Sequence, residues 1–334
     1  MSERHYAVLG AGSWGTALAI LLANNNQSIT LWAHTQSHAD ALRNDRANKK
    51  YLGDIPFPES LKISGDLKST IQQANRVLIV VPSHSFRSTC KVIAPLLNTQ
   101  HKVAWASKGL EADSNKLLHQ IAQEELSPST PLAVLSGPTF AKEVAQGLPG
   151  AVTIASTENE FALELANDCH SKMFRAYTSS DMVGVEVGGA VKNVMAIAAG
   201  IADGLGFGSN TRAALIARGV AEMMRLGLVL GAQKGTFMGL TGLGDLVLTC
   251  SDNQSRNRRF GLALGKGKTQ QQALDEIQQT VEGRLTAKAV YQLAQQHNID
   301  MPITEQVYKV LFENLDPKVA AQALMERAVR AEID

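Results

Sequence analysis

Two lysines, an aspartate and a run of arginines are the residues whose types and spacing could carry chemistry. Lys192 lies in GVEVGGAVKNVMAIAAGIADG, where helical spacing puts Val185, Gly188, Gly189, Met195, Ala196 and Ala199 on its face. An ammonium among small and apolar neighbours is desolvated, which lowers its pKa. Proton transfer at neutral pH favours a lysine tuned down to roughly 7–8. The alternative is a lysine that snorkels to solvent from the helix edge. The run of glycine and alanine, which admits a ligand or another backbone, favours the first reading. Lys108 directly follows the apolar run KVAWAS (102–107), so its amine points toward whatever gathers at that strand end; a surface lysine opening a loop is an equal alternative. Asp245, in LTGLGDLVLTC, has the helix N-cap as a common use. It could also orient Lys192 and steady its charge, and Thr249 falls one turn later on the same face.

The segment NQSRNRRF (253–260) holds Arg256, Arg258 and Arg259 with Asn253 and Asn257 among them. If it is helical, Arg256, Arg259 and Phe260 share one face while Arg258 points elsewhere. Arg256 with Asn257 could form a fork of donors for a phosphate, a geometry that arginine suits. Periodicity by itself favours a solvated face.

These residues need a frame, and the first βα unit supplies it. GAGSWG (10–15) is a GxGxxG formed by Gly10, Gly12 and Gly15, with Ser13 and Trp14 inside it. The motif alone is weak, but here it follows a predicted strand and opens an apolar helix. The glycines permit a tight turn, close approach to a pyrophosphate and close helix–strand packing. Free N–H groups at the helix start then receive phosphates. A tight turn with no ligand is the lesser alternative. At the end of the second strand, LWAHTQ (31–36) carries His34 where an NAD-specific site usually carries an acid. No carboxylate there repels a 2′-phosphate, so NADP is tolerated and leaned toward over NAD. A loop histidine at the surface is an equal account of His34.

Apolar runs at 5–10, 28–33, 76–81, 102–107, 132–137 and 150–155 alternate with helical patterns such as TALAILLANN and SNKLLHQIAQEE. Continuous apolar runs suit parallel strands covered on both faces, and the βα alternation implies an open, mostly parallel sheet. In such a sheet, ligands gather beyond the carboxyl ends, here at Pro82–Ser83, Lys108–Gly109 and Gly137–Pro138–Thr139. Residues 150–301 contain no proline, and helical patterns take over at 181–202, 211–230, 284–298, 302–313 and 317–330. The expected fold is α/β: a dinucleotide-binding domain over 1–180 and an all-helical domain over 181–334.

With 32 basic and 31 acidic side chains, the chain is not a general nucleic-acid or membrane-surface binder, although one local basic pocket is compatible with that balance. The N-terminus shows no signal-peptide core, and the apolar runs fall far short of the ~20 residues that cross a bilayer. Cys90, Cys169 and Cys250 are far apart and read as buried small hydrophobes in a reducing compartment. The eight histidines are scattered and no metal site is expected. A soluble, cytoplasmic protein is the expectation.

GAGSWGTALA, VPSH, ASKGLE, SGPTFAKE, GGAVKNV, GLGDLVLTC and NQSRNRRFG, in this order and spacing, closely resemble the bacterial NAD(P)-dependent glycerol-3-phosphate dehydrogenases over about residues 5–325. The resemblance implies a Rossmann-type domain, an all-α domain and an active site between them. It implies reversible reduction of dihydroxyacetone phosphate to sn-glycerol 3-phosphate, which supplies the backbone of phospholipids, without a metal. Lys192 would be proton donor in reduction and acceptor in oxidation. Lys108 would bind substrate and approach the cofactor, and Asp245 would orient Lys192 or the substrate hydroxyls. Gly137 and Thr139 would line the substrate site. Ser255, Arg256 and Asn257 would hold the phosphate, with Arg256 also near the cofactor. Ser13, Trp14, His34, Ala141, Val281 and Glu282 would meet the cofactor. The family varies at position 34 between arginine and histidine, and it suggests a homodimer. A reductase of another small ketone, such as ketopantoate, and a dinucleotide-sensing regulator without turnover are the rival readings.

Overall fold

The computed structural model describes residues 4–329, 331 and 332. The apolar runs form strands β1 His5–Leu9, β2 Ser28–Trp32, β4 Arg76–Ile79, β5 Lys102–Trp105, β6 Leu132–Ser136 and β7 Gly150–Ser156. Two further strands, β3 Lys62–Ser64 and β8 Phe174–Ser179, complete one eight-stranded sheet. Its order is β3-β2-β1-β4-β5-β6-β7-β8, parallel except between β6 and β7. The periodic pattern missed β3 and β8 for one reason. They are the two edges, half-open to solvent, and an edge strand does not need a continuous apolar run.

Helices α1 Ser13–Asn24, α2 Gln36–Asp45, α3 Lys49–Leu52, α4 Leu67–Gln72, α5 Phe86–Ile93, α6 Leu118–Glu125, α7 Ala141–Ala145 and α8 Asn159–Cys169 belong to the sheet half. The helical pattern beginning at Ser114 starts only at Leu118. Leu110 and Leu117 pair as an antiparallel bridge and are both buried, which holds the intervening chain out of the helix. From β1 the chain runs outward to β2 and β3, then returns to lay β4 on the other side of β1. That reversal opens a crevice at the carboxyl ends of β1 and β4, where open α/β sheets bind ligands.

Beyond β8 the described chain is helical: α9 Met182–Gly204, α10 Ser209–Val229, α11 Asp245–Ser251, α12 Arg256–Gly265, α13 Gln270–Ile277, α14 Glu282–Gln296, α15 Pro302–Phe312 and α16 Pro317–Met325. The pattern expected over 317–330 thus stops at Met325, and residue 330 lies outside the described residues. Helix α9 is buried along nearly its whole length, with α10, α11, α12 and α14 packed around it. By length and composition it could cross a bilayer, but 94% of its most apolar window is buried inside the protein, as for a central core helix. The apolar runs in the sequence understated it because glycine, lysine and asparagine interrupt them without interrupting the helix. Glycines let α9 and α12 touch backbone to backbone. A Cβ at Gly200 would lie 2.1 Å from the Arg258 carbonyl oxygen, and one at Gly261 would lie 2.1 Å from that of Ile197. This contact sets the distance between Lys192 and the arginine segment.

Candidate active site

A cleft of about 1100 Å³ runs from the glycine loop after β1 to the start of α12. Gly10 adopts φ +118°, a left-handed conformation that glycine alone tolerates freely, and a Cβ there would strike the Val80 carbonyl oxygen at 2.4 Å. A Cβ at Gly15 would lie 1.9 Å from the Gly10 carbonyl oxygen, so the third glycine seats the helix against its own turn. A Cβ at Gly12 would meet nothing within 4 Å. That glycine leaves open space in the cleft wall at the N-terminus of α1, which fits a dinucleotide pyrophosphate. The buried Trp14 Nε1, on the same wall, has no protein acceptor.

Lys192 is buried in the middle of α9, and its side chain lines the cleft. Gly188 and Gly189 beside it explain the small-residue run. A Cβ at Gly188 would strike the Thr241 carbonyl oxygen at 2.4 Å, and one at Gly189 the Ser136 hydroxyl at 2.9 Å. The wide helical turn Leu240–Gly244 can therefore lie on α9 and deliver Asp245 at the first position of α11. Asp245 makes no N-cap bond there. Its Oδ1 accepts from Lys192 Nζ at 2.6 Å, and its Oδ2 accepts from Lys108 Nζ at 2.7 Å. Thr249 Oγ1 accepts from Lys192 Nζ at 3.0 Å. Lys108 Nζ also donates to the Gly137 carbonyl at 3.5 Å.

One buried carboxylate thus steadies two lysines, one from the sheet half and one from the helical half. Burial pushes the Lys192 ammonium down to about 8; Asp245 opposes that shift and Lys108 adds to it. Burial alone would raise the Asp245 carboxyl, but Lys108 and Lys192 hold it below the usual carboxylate range. Burial raises Glu282, although Arg256, Lys108 and Lys192 pull it back. Lys192 is poised to exchange a proton near neutral pH while Asp245 stays charged.

The arginine segment is helical from Arg256, with Ser255 as N-cap accepting from the Arg258 N–H at 3.2 Å. The first N–H groups of a helix have no intrahelical partner, so those of Arg256 and Asn257 can face an anion in the cleft. Asn257's side chain is otherwise engaged: Nδ2 donates to Asn193 Oδ1 at 3.0 Å, and Oδ1 accepts from the Gly283 N–H at 2.9 Å. These bonds lock α12 to α9 and α14 and use one of the two Nδ2 hydrogens, so the amide retains a second donor on the cleft wall. Arg258 corrects the solvated-face expectation outright. It is buried and donates to the Cys250 carbonyl at 3.0 Å, to Asn253 Oδ1 and to Asp203 Oδ2. Arg256 and Arg259 are partly buried and line the cleft, whereas Phe260 turns into the core.

The cleft wall gathers Gly10, Gly12, Ser13, Trp14, Gly15, His34, Lys108, Thr139, Ala141, Lys192, Ser255, Arg256, Asn257 and Glu282. Gly137, Asp245 and Val281 do not line it. Gly137 presents its carbonyl to Lys108 and Thr139, Asp245 stands behind the two lysines, and Val281 is buried at the N-cap of α14. Asn193, buried and on the wall, was missed. Its one signal was an amide beside Lys192 in an apolar helix. Among the described residues no His, Cys, Asp and Glu group could hold a metal, and the three cysteines are buried and free.

A crevice shaped for a dinucleotide, with a buried lysine on its wall, fits a nicotinamide-dependent oxidoreductase. Comparison with known proteins narrows the class. Residues 5–162 match the model for the NAD-dependent glycerol-3-phosphate dehydrogenase N-terminus, and residues 181–322 match that for its C-terminus. The chain belongs to this family. A glycerol-3-phosphate dehydrogenase [NAD(P)+] of Colwellia psychrerythraea is 56% identical over 321 residues, 96% of each chain. One from Haemophilus ducreyi is 55% identical over 330 residues, 98% of each. The crystal structure of glycerol-3-phosphate dehydrogenase from Coxiella burnetii superposes with a TM-score of 0.94 at 49% identity, covering 97% of this chain and 99% of that one. A ketopantoate reductase from Ralstonia eutropha shares the fold at a TM-score of 0.61 and 16% identity. The chain is a glycerol-3-phosphate dehydrogenase using a nicotinamide cofactor.

Proposed function

We propose that this enzyme reversibly reduces dihydroxyacetone phosphate to sn-glycerol 3-phosphate, feeding glycerophospholipid synthesis, and uses Lys192 to move the proton at the C2 oxygen. The observation that carries the mechanism is the Lys192–Asp245–Lys108 cluster beside the N-terminus of α12. The bound nicotinamide supplies the hydride for reduction at C2 and takes it back in oxidation. Lys192 gives its proton to the C2 oxygen as that oxygen gains charge, and recovers it in the reverse direction. General acid help of this kind is typically worth about 10²–10⁴-fold, or roughly 3–5 kcal/mol.

Asp245 aims the amine, and Lys108, on the second oxygen of that carboxylate, stands where it can hold the substrate. Arg256, the free N–H groups of Arg256 and Asn257, and the Ser255 cap clamp the phosphate. Binding energy from that remote group aligns C2 with the reacting centre. Thr139 and the Gly137 carbonyl close the substrate end. Ser13, Trp14, His34, Ala141, Glu282 and the glycine loop hold the cofactor, Val281 backs Glu282 from the N-cap of α14, and NADP is favoured over NAD. The same reading takes residues 1–180 and 181–334 as the two domains and the enzyme as a cytoplasmic homodimer.

A phosphate-free ketone would leave Arg256 and the α12 N-terminus without an anion, which counts against the ketopantoate alternative. A sensor without turnover would leave the down-shifted Lys192 without a task. The test follows NADH and NADPH oxidation with dihydroxyacetone phosphate. Turnover is expected, and none with either cofactor refutes the proposal. Lys192→Ala is expected to abolish turnover with cofactor binding nearly intact, whereas loss of both together would refute the proton-transfer role.

A further inference from the structure

The far end of the cleft carries a cation that the mechanism does not use. Helix α3 is anchored to the glycine loop: Asn48, just before it, donates to the Ala11 carbonyl at 3.0 Å and to Thr16 Oγ1 at 2.8 Å. Ser13 Oγ donates to the Tyr51 carbonyl at 3.3 Å. These bonds hold Lys50 and Tyr51 at the cleft wall beside the start of α1. His34 follows β2, its ring edge-on to Trp32 with centroids 5.7 Å apart, and the His38 ring, one turn on, lies 5.8 Å from that of Tyr51. His34, His38, Lys50 and Tyr51 all line this end.

The charges nearby are not equivalent. Lys49 pairs with Asp45 at 3.0 Å and Arg43 pairs with Asp40 at 2.6 Å, so both neighbouring cations have their acids. Lys50 has no ion-pair acceptor among the described residues; its Nζ lies 5.2 Å from the Tyr51 ring centroid, over the ring. Among the described residues lining the cleft, Glu282 is the single carboxylate, and it belongs to the helical half, near Arg256, Lys108 and Lys192. In this fold the ribose nearest the glycine loop lies at the end of β2, where an acid selects a free 2′-hydroxyl and a cation accommodates a 2′-phosphate.

We infer that Lys50, on the same cleft wall as His34, is the seat of a 2′-phosphate on the adenosine ribose and the residue that makes this enzyme favour NADPH over NADH. The inference rests on taking the cleft as a nicotinamide-dinucleotide site, and it adds the discriminating side chain. Tyr51 keeps the lysine stem along the wall, so less freedom is lost when the ammonium meets the phosphate.

The experiment compares wild type, Lys50→Glu and Lys50→Arg in two measurements. In steady-state turnover of dihydroxyacetone phosphate, Lys50→Glu is expected to lower kcat/KM for NADPH roughly a hundredfold and leave that for NADH within about threefold. Lys50→Arg should keep most of the NADPH preference. In calorimetry without any ketone, wild type should bind adenosine 2′,5′-bisphosphate at least about tenfold tighter than adenosine 5′-monophosphate, and Lys50→Glu should lose that difference. An equal loss for both cofactors, an unchanged NADPH value, or a wild type that binds both nucleotides alike would overturn the inference. The calorimetry needs no reaction, so tight bisphosphate binding without ketone turnover would sink the proposed substrate alone.

Discussion

Asp245→Asn tests the proton-transfer assignment more sharply than removing the lysine. The substitution keeps the shape of the side chain and deletes its charge, leaving Lys192 and Lys108 facing an amide at positions now 2.6 and 2.7 Å from carboxylate oxygens. In the wild type, burial drives Lys192 down and Asp245 resists, with a net value of about 8. Without the carboxylate, burial and the repulsion from Lys108 act unopposed. An opposite charge this close is worth roughly 1–3 pKa units, or about 1.4–4 kcal/mol. The sign follows from the proton's role. Reduction needs the ammonium form, so its rate is lost as pH rises through the Lys192 pKa, near 8 in the wild type. In Asp245→Asn that loss should begin roughly 1–3 units lower, leaving the variant at least about half deprotonated at neutral pH. The assay is the pH dependence of kcat/KM for dihydroxyacetone phosphate reduction, followed by cofactor absorbance. Because the two lysines share one carboxylate, the apparent pKa belongs to the cluster. An unchanged falling limb in Asp245→Asn, with activity otherwise reduced, would refute the claim that Asp245 sets the protonation of Lys192.

Two further outcomes separate the arginines of NQSRNRRF. Arg256→Ala should lower kcat/KM for the phosphorylated ketone by roughly two to three orders of magnitude, from the loss of charge-assisted bonds, while leaving thermal stability nearly unchanged; an unaltered kcat/KM would remove it from the phosphate clamp. Arg258→Ala should instead destabilise the fold by about 3 kcal/mol in urea unfolding, the lower end for breaking a buried ion pair, since Arg212 still serves Asp203 at 2.9 Å. A loss below about 0.5 kcal/mol would return Arg258 to the surface.

Much of this protein is legible along the chain because its signals are local. The apolar runs of β1, β2, β4, β5, β6 and β7 mark strands buried on both faces, and the GxGxxG between β1 and α1 marks the crevice, because turn, strand and helix all lie within a few residues. The small-residue face around Lys192 foretold a desolvated amine for the same reason: α9 carries its own period. Family motifs added roles to residues whose spacing alone left them undecided. What stayed hidden depends on partners distant in sequence. Edge strands β3 and β8 exist through pairing with β2 and β7, not through an apolar pattern of their own. Arg258 looked solvated because a charge has no helical period that reveals a partner; Asp203, 55 residues earlier, buries it. That the Asn257 amide ties α12 to Asn193 and Gly283 has no signal in its own segment. The joining of Lys108 and Lys192 on Asp245, across separations of 137 and 53 residues, is likewise a property of how the two halves meet. Sequence determined which residues could be buried, turned or charged, since those tendencies act over one or two helical turns. Only the tertiary structure decided which charges share a carboxylate and which face the cleft, because electrostatic partners are chosen by proximity in space.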